Sequence, residues 1–377
     1  MKVGIDTFGS AHGKSGIGSY LSSLTSQLKN SDKITFELFG LEIDKYTFGA
    51  ENGLDWASVN IRDSQKVQKL WHISKANHFA KKQNYDVVLY CAGSQFLPLT
   101  SSIPSIAVVN DVVSEQYSFS PLQMEGRKIV HSLKNTSKII VPSQFIRKDL
   151  TKLGIPESKI IVIHNGINHS AFYPREMFPA NFVDIKPFAI KKPYFIYPSR
   201  MCSATKKHIE LIKAFNIFKE KTHMEHRLVF SGTEGTITEE IKKEILSSPY
   251  ASDIFLTGFF PHESFPLLYA SAEGCIFPSV NEGIGLPVLE AMATGIPVAC
   301  SNEGALPEIA GINAIFFDSN NIPEMAQAIE RLALDSQLRK KLKASGIEWT
   351  KRFDWEKTAQ KTVSVIHEVY DFSKKEN

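Results

Sequence analysis

The sequence is poor in the features that mark disulfide-rich, metal-bound or membrane-spanning proteins. Its four cysteines are scattered through 377 residues without Cys-x-x-Cys spacing, which argues against a zinc site or a disulfide framework. No apolar run reaches the roughly 18 residues needed to span a bilayer. The N-terminus starts directly with a strand pattern and shows no signal-peptide pattern. We therefore expect a cytoplasmic location.

Charge is nearly balanced overall, at a net +3, but it is unevenly distributed. Residues 1–175 carry 20 Lys+Arg against 14 Asp+Glu, whereas residues 176–377 carry 23 against 26. The basic excess is dense in residues 62–82, where six cations and several apolar residues accompany Asp63 on a predicted helix. Such a helix either lies against an anionic membrane, at the inner face of the plasma membrane, or is a solvated helix that buries one apolar stripe.

Short runs rich in Val and Ile alternate with helical patterns along both halves of the chain. Predicted strands recur between residues 3 and 163 and again between residues 195 and 316. This alternation predicts an α/β fold with two doubly wound parallel sheets. The two series are separated by residues 172–193, which we interpret as an interdomain linker because they carry Pro174, Pro179, Pro187 and Pro193.

Two glutamates eight residues apart, Glu282 and Glu290, bracket a glycine-containing turn. Pro287 suits the first turn of a helix, and the residues after it are helix formers. A turn that runs into a helix N-terminus offers free amides to a phosphate or to sugar hydroxyls. Both carboxylates can accept hydrogen bonds from paired hydroxyls such as those of a ribose. The alternative is a capped surface helix with two solvated glutamates.

The segment 281–298 reads Asn-Glu-Gly-Ile-Gly-Leu-Pro-Val-Leu-Glu-Ala-Met-Ala-Thr-Gly-Ile-Pro-Val. It resembles the Glu-x7-Glu signature of retaining glycosyltransferases of family 4, which have the GT-B fold of two Rossmann-like domains facing a cleft. The resemblance implies that Glu282 holds donor-sugar hydroxyls and that Glu290 holds the ribose. It assigns contacts with the sugar and phosphates to the amides of Gly283, Ile284, Gly285 and Leu286. Ile284 stands where the family usually has Phe, which leaves the preference for a donor sugar open.

Two cations follow the predicted strand at residues 195–197. Arg200 and Lys206 are spaced at a strand C-terminus so that they could clamp two phosphates, although a solvated basic surface would look similar. The stretch from Tyr197 to Lys206 resembles the diphosphate-binding segment of the family, with Ser199 in place of a common Gly. The resemblance implies that Arg200 and Lys206 neutralise charge on the departing nucleoside diphosphate.

A glycine-rich segment lies between the first predicted strand and the first helix. It is not a P-loop, because Phe8 stands where that motif needs Gly. It resembles the Gly-Gly-Ile-Gly loop of the family, with Ser15 replacing the first Gly. The resemblance implies that Gly16 and Gly18 approach the donor and that Tyr20 contributes to acceptor binding. A plain tight turn is the alternative.

Asn110 and Asp111 follow another predicted strand, in the place of a His-Asp pair in many relatives. Asn cannot act as a general base, so this departure weakens any role for a side chain in deprotonating the acceptor. The resemblance instead implies that the leaving phosphate takes the acceptor proton. We expect Asp111 to act in catalysis and Asn110 to contact the acceptor. The alternative for Asp111 is a loop cap.

Gly258 and Phe259 also follow a predicted strand, and the resemblance implies that the nucleotide base packs there; a core position for Phe259 is an equal alternative. No Asp-x-Asp occurs in the sequence, and the eleven histidines form no cluster with metal-ligand spacing. We therefore expect no metal and no cofactor, since the nucleotide sugar is a substrate.

These observations together predict a retaining glycosyltransferase that moves a hexosyl group, with GDP-mannose as the first choice of donor. The acceptor would be a glycan or lipid-linked glycan of a cell-surface polysaccharide such as lipopolysaccharide, and no nucleic acid partner is expected. Residues 1–175 would form the acceptor domain and residues 176–360 the nucleotide-sugar domain, while 361–377 would belong to a helix that crosses back to the first domain. The alternatives are a GT-B nucleotide-sugar epimerase or hydrolase, which needs no acceptor, and an inactive nucleotide-sugar-binding protein.

Overall fold

The computed structural model of the chain describes residues 1–49, 53–117, 123–176, 181–185, 188–260 and 262–376. The chain forms two compact units, one built from Met1–Gly166 with the segment from Phe353 onward and the other from Ile167–Arg352. Each unit contains its own parallel α/β sheet, which confirms the predicted fold class.

The boundary between the two units lies earlier in the chain than the proline-rich residues 172–193 suggested. The first unit ends at Gly166 rather than at residue 175, and the chain returns to it at Phe353 rather than at residue 361. Phe172 already packs in the second unit, with its ring 6.1 Å from that of Tyr269. Prolines alone therefore did not locate the boundary, and Pro179 and Pro187 lie outside the described residues.

The first unit contains a parallel sheet in the order β3-β2-β1-β4-β5-β6-β7 across its described residues. β1 is central, so that Ile5 lies opposite Leu38 on one side and Leu89 on the other. All three side chains are fully buried, and each contributes about 1.5–3 kcal/mol through burial. The strands are β1 (Lys2–Asp6), β2 (Thr35–Gly40), β3 (Asp55–Ser58), β4 (Val87–Tyr90), β5 (Ser105–Val108), β6 (Lys138–Val141) and β7 (Ile160–Val162).

Helices connect these strands, as parallel pairing requires. They are α1 (Gly16–Thr25), α2 (Asp44–Phe48), α3 (Gln65–Ser74), α4 (Ala76–Lys82), α5 (Val113–Gln116), α6 (Gln123–Asn135) and α7 (Gln144–Lys152).

The second unit repeats the same plan after an antiparallel pair, β8 with β9. Its parallel sheet has the order β12-β11-β10-β13-β14-β15 in the described residues, with Ile196 of the central strand opposite Val229 and Cys275. The strands are β8 (Phe182–Ile185), β9 (Phe188–Lys191), β10 (Tyr194–Pro198), β11 (Arg227–Ser231), β12 (Ile254–Leu256), β13 (Gly274–Phe277), β14 (Val298–Ser301) and β15 (Ile315–Phe317).

The helices of this unit are α8 (His208–Thr222), α9 (Thr238–Ser247), α10 (Phe265–Ser271), α11 (Leu286–Ala293), α12 (Leu306–Ala310), α13 (Ile322–Leu334) and α14 (Ser336–Thr350). The last helix, α15 (Trp355–Glu376), belongs to the first unit. There Thr358 donates a hydrogen bond to the His164 carbonyl at 2.8 Å.

Both parallel sheets reverse their winding direction beside the first of their strands in chain order. The reversal lies between β1 and β4 in the first unit and between β10 and β13 in the second. Doubly wound sheets bind ligands at such a switch point, outside the carboxyl ends of the strands. The loops after β1, β4, β10 and β13 are therefore where a site is expected in each unit.

Two predictions for the first unit were wrong in detail. The basic segment 62–82 is not one helix, because α3 ends and α4 begins at Lys75, whose φ of −126° is not helical. β3 was not predicted, because Asp-Trp-Ala-Ser lacks an apolar run. In the structure this strand pairs on one side only, with β2.

Candidate active site

The loop after β10 carries both predicted phosphate-binding cations. Lys206 ends a 3₁₀ turn, Ala204–Lys206, that begins after Ser203. The hydroxyl of Tyr197 donates to the Lys206 carbonyl at 2.7 Å, and burial raises the pKa of Tyr197 well above its usual range, so the donor stays protonated. This contact fixes the backbone of Lys206. The Arg200 side chain is exposed on the same loop and pairs with no carboxylate among the described residues.

The Lys206 ammonium forms an ion pair with the Glu282 carboxylate, which lies on the loop after β13. The two side chains are 22% and 15% exposed, so they remain accessible to a ligand. Just before these residues on the two loops, the Val280 amide donates to the Thr205 carbonyl at 3.0 Å. A backbone bond and an ion pair thus join the loops of the two strands that flank the switch point.

The backbone of Glu282 is held from the other side by the loop after β14. The Ala305 amide donates to the Glu282 carbonyl at 2.8 Å. Gly304 has φ +67°, and a Cβ there would lie 2.9 Å from the same carbonyl oxygen. Only glycine fits this approach without displacing the neighbouring loop, so the second glycine turn of the motif supports the first.

The N-terminus of α11 follows directly on the Glu282 loop. Gly285 is its N-cap, no side chain caps the helix, and Pro287 lies in its first turn. The amides of Gly285 and Leu286 have no acceptor within the described residues. Ile284 is half-buried beside them. Free amides at a helix N-terminus are able to bind an anion.

Glu290 lies one turn further into α11, as predicted. One of its carboxylate oxygens accepts a hydrogen bond from the Tyr269 hydroxyl at 3.1 Å. Tyr269 is fully buried, and burial raises the pKa of its hydroxyl well above the usual range. A permanently protonated donor therefore orients the carboxylate. Sequence reasoning missed Tyr269; the only signal was that a buried tyrosine hydroxyl needs a partner.

Backbone hydrogen bonds join the loops after β10, β11 and β12. The Ser199 amide donates to Ser231 at 2.8 Å, and the Gly232 amide donates to Gly258 at 2.9 Å. Beyond Gly258, the Phe259 ring is 69% exposed. Phe259 is therefore not a core residue, which leaves its face free to stack on a planar group.

The positive charge of the site also acts on His208, the first residue of α8. Burial, followed by the charge of Lys206, lowers the pKa of His208 to about 4. His208 is therefore neutral at physiological pH. The cations available to a diphosphate here are Arg200 and Lys206.

In the first unit, the glycine segment forms the loop between β1 and α1. Ser15 caps α1 by accepting a hydrogen bond from the Gly18 amide at 3.1 Å. A Cβ at Gly18 would lie 2.6 Å from the Ser10 carbonyl oxygen, whereas a Cβ at Gly16 would meet no atom within 4 Å. Gly18 is thus a packing residue, and Gly16 borders open space.

Asp111 lies after β5 and is held by the loop after β4. The Ser94 hydroxyl donates to Asp111 Oδ2 at 2.6 Å, and the Tyr117 hydroxyl donates to the Ser94 carbonyl at 2.6 Å. The side-chain oxygen of Asn110 is buried and has no hydrogen-bond donor among the described residues. Ser94 and Tyr117 were not predicted.

Tyr20 does not lie where an acceptor could reach it. It is 3% exposed, and its ring packs 5.6 Å from that of Trp355 on α15. The prediction that Tyr20 binds an acceptor is therefore replaced by a packing role between α1 and the returning helix. The helical pattern that placed Tyr20 on the apolar face of α1 was the better guide.

The described residues lack two features. They contain no cluster of three or more His, Cys, Asp or Glu side chains arranged to hold a metal ion. None of their helices combines the length and the apolar composition needed to cross a membrane.

Comparison with protein families decides the identity of the chain. Residues 181–349 match the family described as glycosyl transferases group 1, and residues 15–171 match the one described as glycosyltransferase family 4. The chain belongs to glycosyltransferase family 4. This confirms the predicted family and the enzyme class.

Curated relatives of this family 4 glycosyltransferase include mannosyltransferases. It is 29% identical over 242 residues to O-antigen chain mannosyltransferase B of Escherichia coli, over 63% of this chain and 62% of that protein. It is 27% identical over 247 residues to sulfoquinovosyl transferase SQD2 of Arabidopsis thaliana, over 64% of this chain and 46% of that one. The matches therefore span less than two thirds of these relatives.

Solved structures confirm the GT-B fold of the family 4 glycosyltransferase. HepE of Anabaena, in complex with UDP and glucose, matches with a TM-score of 0.76 at 18% identity over 98% of this chain and 100% of that one. Sucrose-phosphate synthase of Thermosynechococcus elongatus matches with a TM-score of 0.74 at 17% identity, over 98% and 99%.

Proposed function

We propose that this family 4 glycosyltransferase transfers a hexosyl group from a nucleoside diphosphate sugar to a hydroxyl of a glycan or lipid-linked glycan, with retention of the anomeric configuration. The observation that carries the proposal is the Lys206–Glu282 ion pair beside Arg200 at the switch point of the second sheet. It places a phosphate-binding cation and a hydroxyl-binding carboxylate in direct contact. A sugar diphosphate presents those two chemistries on adjacent groups.

The donor contacts follow from the geometry of the second unit. Arg200 and Lys206 bind the diphosphate, and the free amides of Gly285 and Leu286 add hydrogen-bond donors. Glu282 accepts hydrogen bonds from sugar hydroxyls. Glu290, oriented by Tyr269, accepts those of the ribose. The exposed Phe259 ring stacks on the base.

Transfer breaks the bond between the anomeric carbon and the phosphate oxygen and forms one between that carbon and the acceptor oxygen. Retention follows when both events occur on the same face, with the acceptor proton passing to the leaving phosphate. Arg200 and Lys206 stabilise the negative charge that develops on the diphosphate, which is the largest contribution this site offers. Asp111, held by Ser94, orients the acceptor hydroxyl.

We propose mannose as the sugar, which the names of two curated relatives support, and GDP-mannose as its donor. The O-antigen relative at 29% identity is named a mannosyltransferase. A second one, the serotype-specific mannosyltransferase WbdA of Escherichia coli, is 30% identical over 123 residues, or 33% of this chain and 15% of that protein. The O-antigen name also supports a role in polysaccharide synthesis.

We propose that transfer needs no divalent metal. The two cations already meet the diphosphate charge that a metal would otherwise neutralise.

The test is a donor screen followed by product analysis. UDP-, GDP- and ADP-sugars are compared by thermal shift, because a ligand bound only by the folded state raises Tm. The stabilising donor is then incubated with and without mannose-terminated acceptors, in buffer with EDTA, and the product is examined by NMR. An α-linked product from an α-linked donor supports the proposal. Turnover of the donor without any transfer indicates an epimerase or hydrolase, and binding without turnover indicates an inactive binding protein.

A further inference from the structure

A groove runs between α3 and α6 on the surface of the first unit, with a volume of about 250 Å³. On α3 it is lined by Lys66, Lys69, Leu70 and Ile73, whose spacing of three and four residues puts them on one helix face. Residues of α6 with the same spacing, including Lys128, line the opposite wall. The groove was not predicted. The sequence suggested one continuous helix over 62–82.

The groove is apolar inside and at its mouth. Its lining includes Leu97 and Ile129, which are 3% and 8% exposed. On the α3 wall, Leu70 is 65% exposed and Ile73 is 38% exposed. Large apolar side chains exposed side by side mark a binding surface more often than an accident of the fold.

Cations surround this apolar surface. Lys69 pairs with Glu125 at 2.8 Å across the groove. Lys66 and Lys128 are exposed and pair with no carboxylate within the part of the chain that the structure describes. The free charge at the groove is therefore positive, and it is complementary to an anionic group attached to a hydrocarbon.

One residue links the groove to the acceptor-side loops. Tyr117 lines the groove, its hydroxyl donates to the Ser94 carbonyl, and the Ser94 hydroxyl donates to Asp111. Each of these two hydrogen bonds is 2.6 Å long. Two hydrogen bonds therefore join the wall of the groove to Asp111, the residue that we assign to the acceptor hydroxyl.

We propose that the α3/α6 groove binds the lipid end of the acceptor, an anionic lipid that carries the acceptor sugar through a phosphate or diphosphate. Its hydrocarbon chain lies against Leu70, Ile73 and Leu97, and its phosphate is bound by Lys66 and Lys128. This assignment rests on the proposed function and narrows its acceptor class from glycans in general to lipid-linked ones. The concave apolar lining favours a single chain over a bilayer surface, and the free lysines favour an anion over a neutral lipid.

A binding experiment tests the groove without relying on catalysis. The probe is dodecyl diphosphate below its micellar concentration, compared with dodecanol and with inorganic diphosphate by calorimetry. We expect the full chain to bind the amphiphile at least tenfold more tightly than either half-molecule. We expect Leu70→Ser with Ile73→Ser, and separately Lys66→Glu with Lys128→Glu, to weaken binding about tenfold. Tyr46→Ser and Lys29→Glu are the matched controls, because both residues are exposed on the same unit away from the groove.

A transfer experiment separates this inference from the proposed function. The same terminal sugar is offered on dodecyl diphosphate and on a methyl group. We expect the groove variants to raise KM for the dodecyl acceptor about tenfold while leaving the methyl acceptor and the donor KM unchanged. Equal KM values for the two acceptors in the unmodified protein would overturn the groove assignment and leave the glycosyltransferase intact.

The absence of any transfer with normal probe binding would overturn the proposed function alone. Equal binding to acceptor-free phosphatidylglycerol vesicles, lost in the same variants, would overturn the single-lipid assignment in favour of docking on a membrane surface.

Discussion

The Lys206 ammonium and the Glu282 carboxylate form an ion pair although they are 76 residues apart in the sequence. The pair joins the loops after β10 and β13, the two strands that flank the switch point of the second sheet. Each member is also anchored through its backbone, Lys206 by Tyr197 and Glu282 by Ala305. The two groups that we assign to the phosphate and the sugar of the donor therefore fix each other's positions.

Replacing Lys206 by Ala is expected to lower kcat by about 10²–10³, since one preorganised charge at the leaving group is lost. The free energy of unfolding should fall by no more than about 1 kcal/mol, because the ion pair is partly exposed. Nucleoside diphosphate release and urea unfolding measure the two effects. Lys213→Ala, on the exposed face of α8, is the control. Unchanged turnover in Lys206→Ala would remove the assignment of this loop to the diphosphate.

Replacing Tyr269 by Phe is expected to raise the KM for the donor about three- to tenfold while kcat changes little. The ring stays, but the hydrogen bond that orients Glu290 is lost, and such a bond is worth about 0.5–1.5 kcal/mol. Steady-state kinetics with varied donor give the result. Glu290→Gln should raise the same KM and leave kcat similarly intact. If Tyr269→Phe changed kcat alone, Glu290 would not be a ribose contact.

Replacing Gly304 by Ala should destabilise the protein more than replacing Gly258 by Ala. The two glycines have nearly the same φ, +67° and +69°, so the backbone strain is matched at about 1–2 kcal/mol. A Cβ at Gly304 would also press on the Glu282 backbone at 2.9 Å, whereas a Cβ at Gly258 meets nothing within 4 Å. Thermal unfolding of the two variants compares them. Equal decreases in Tm would show that the loop after β14 can move to accommodate the added Cβ. The loop would then not be what holds Glu282.

A pH-dependent contribution to stability is expected from His12, in the loop before α1. Its ring nitrogens lie 2.6 Å from Asp44 and 3.0 Å from Asp63. The hydrogen bond with Asp44, and then that with Asp63, raise the pKa of His12 in spite of partial burial. Burial raises the pKa of Asp44 as well, although the positive charge of His12 opposes this.

Because the pKa of His12 is raised on folding, its stabilising effect is fully present below the unfolded value of 6.5 and is lost as pH rises through the folded value. His12→Gln should therefore cost more stability at pH 6 than at pH 9, as measured by urea unfolding. His78→Gln, on the exposed side of α4, is the control substitution. A constant cost for His12→Gln would mean that the charge of the ring plays no part.

The alternation of apolar runs and helices was enough to predict two parallel sheets, because strands buried on both faces must be apolar throughout. The segments after the strands were equally informative, since glycines, Arg200, Lys206 and Glu282 all follow apolar runs. The break at Lys75 was not predicted, and neither was the inward position of His72, whose Nε2 lies 2.9 Å from the fully buried Asp6. That contact joins residues far apart in sequence.

The sequence alone determined the family, most of the alternation of strands and helices, and the chemical character of the residues that we assign to the donor. These depend on local patterns, such as a turn, a helix start or a charge after a strand. Tertiary structure decided which groups meet: Lys206 with Glu282, Tyr269 with Glu290, Ser94 with Asp111. It also buried Tyr20 on α15 and brought α3 beside α6 to form a groove. Such pairings arise from chain topology, which places distant residues side by side and leaves no periodic trace in the sequence.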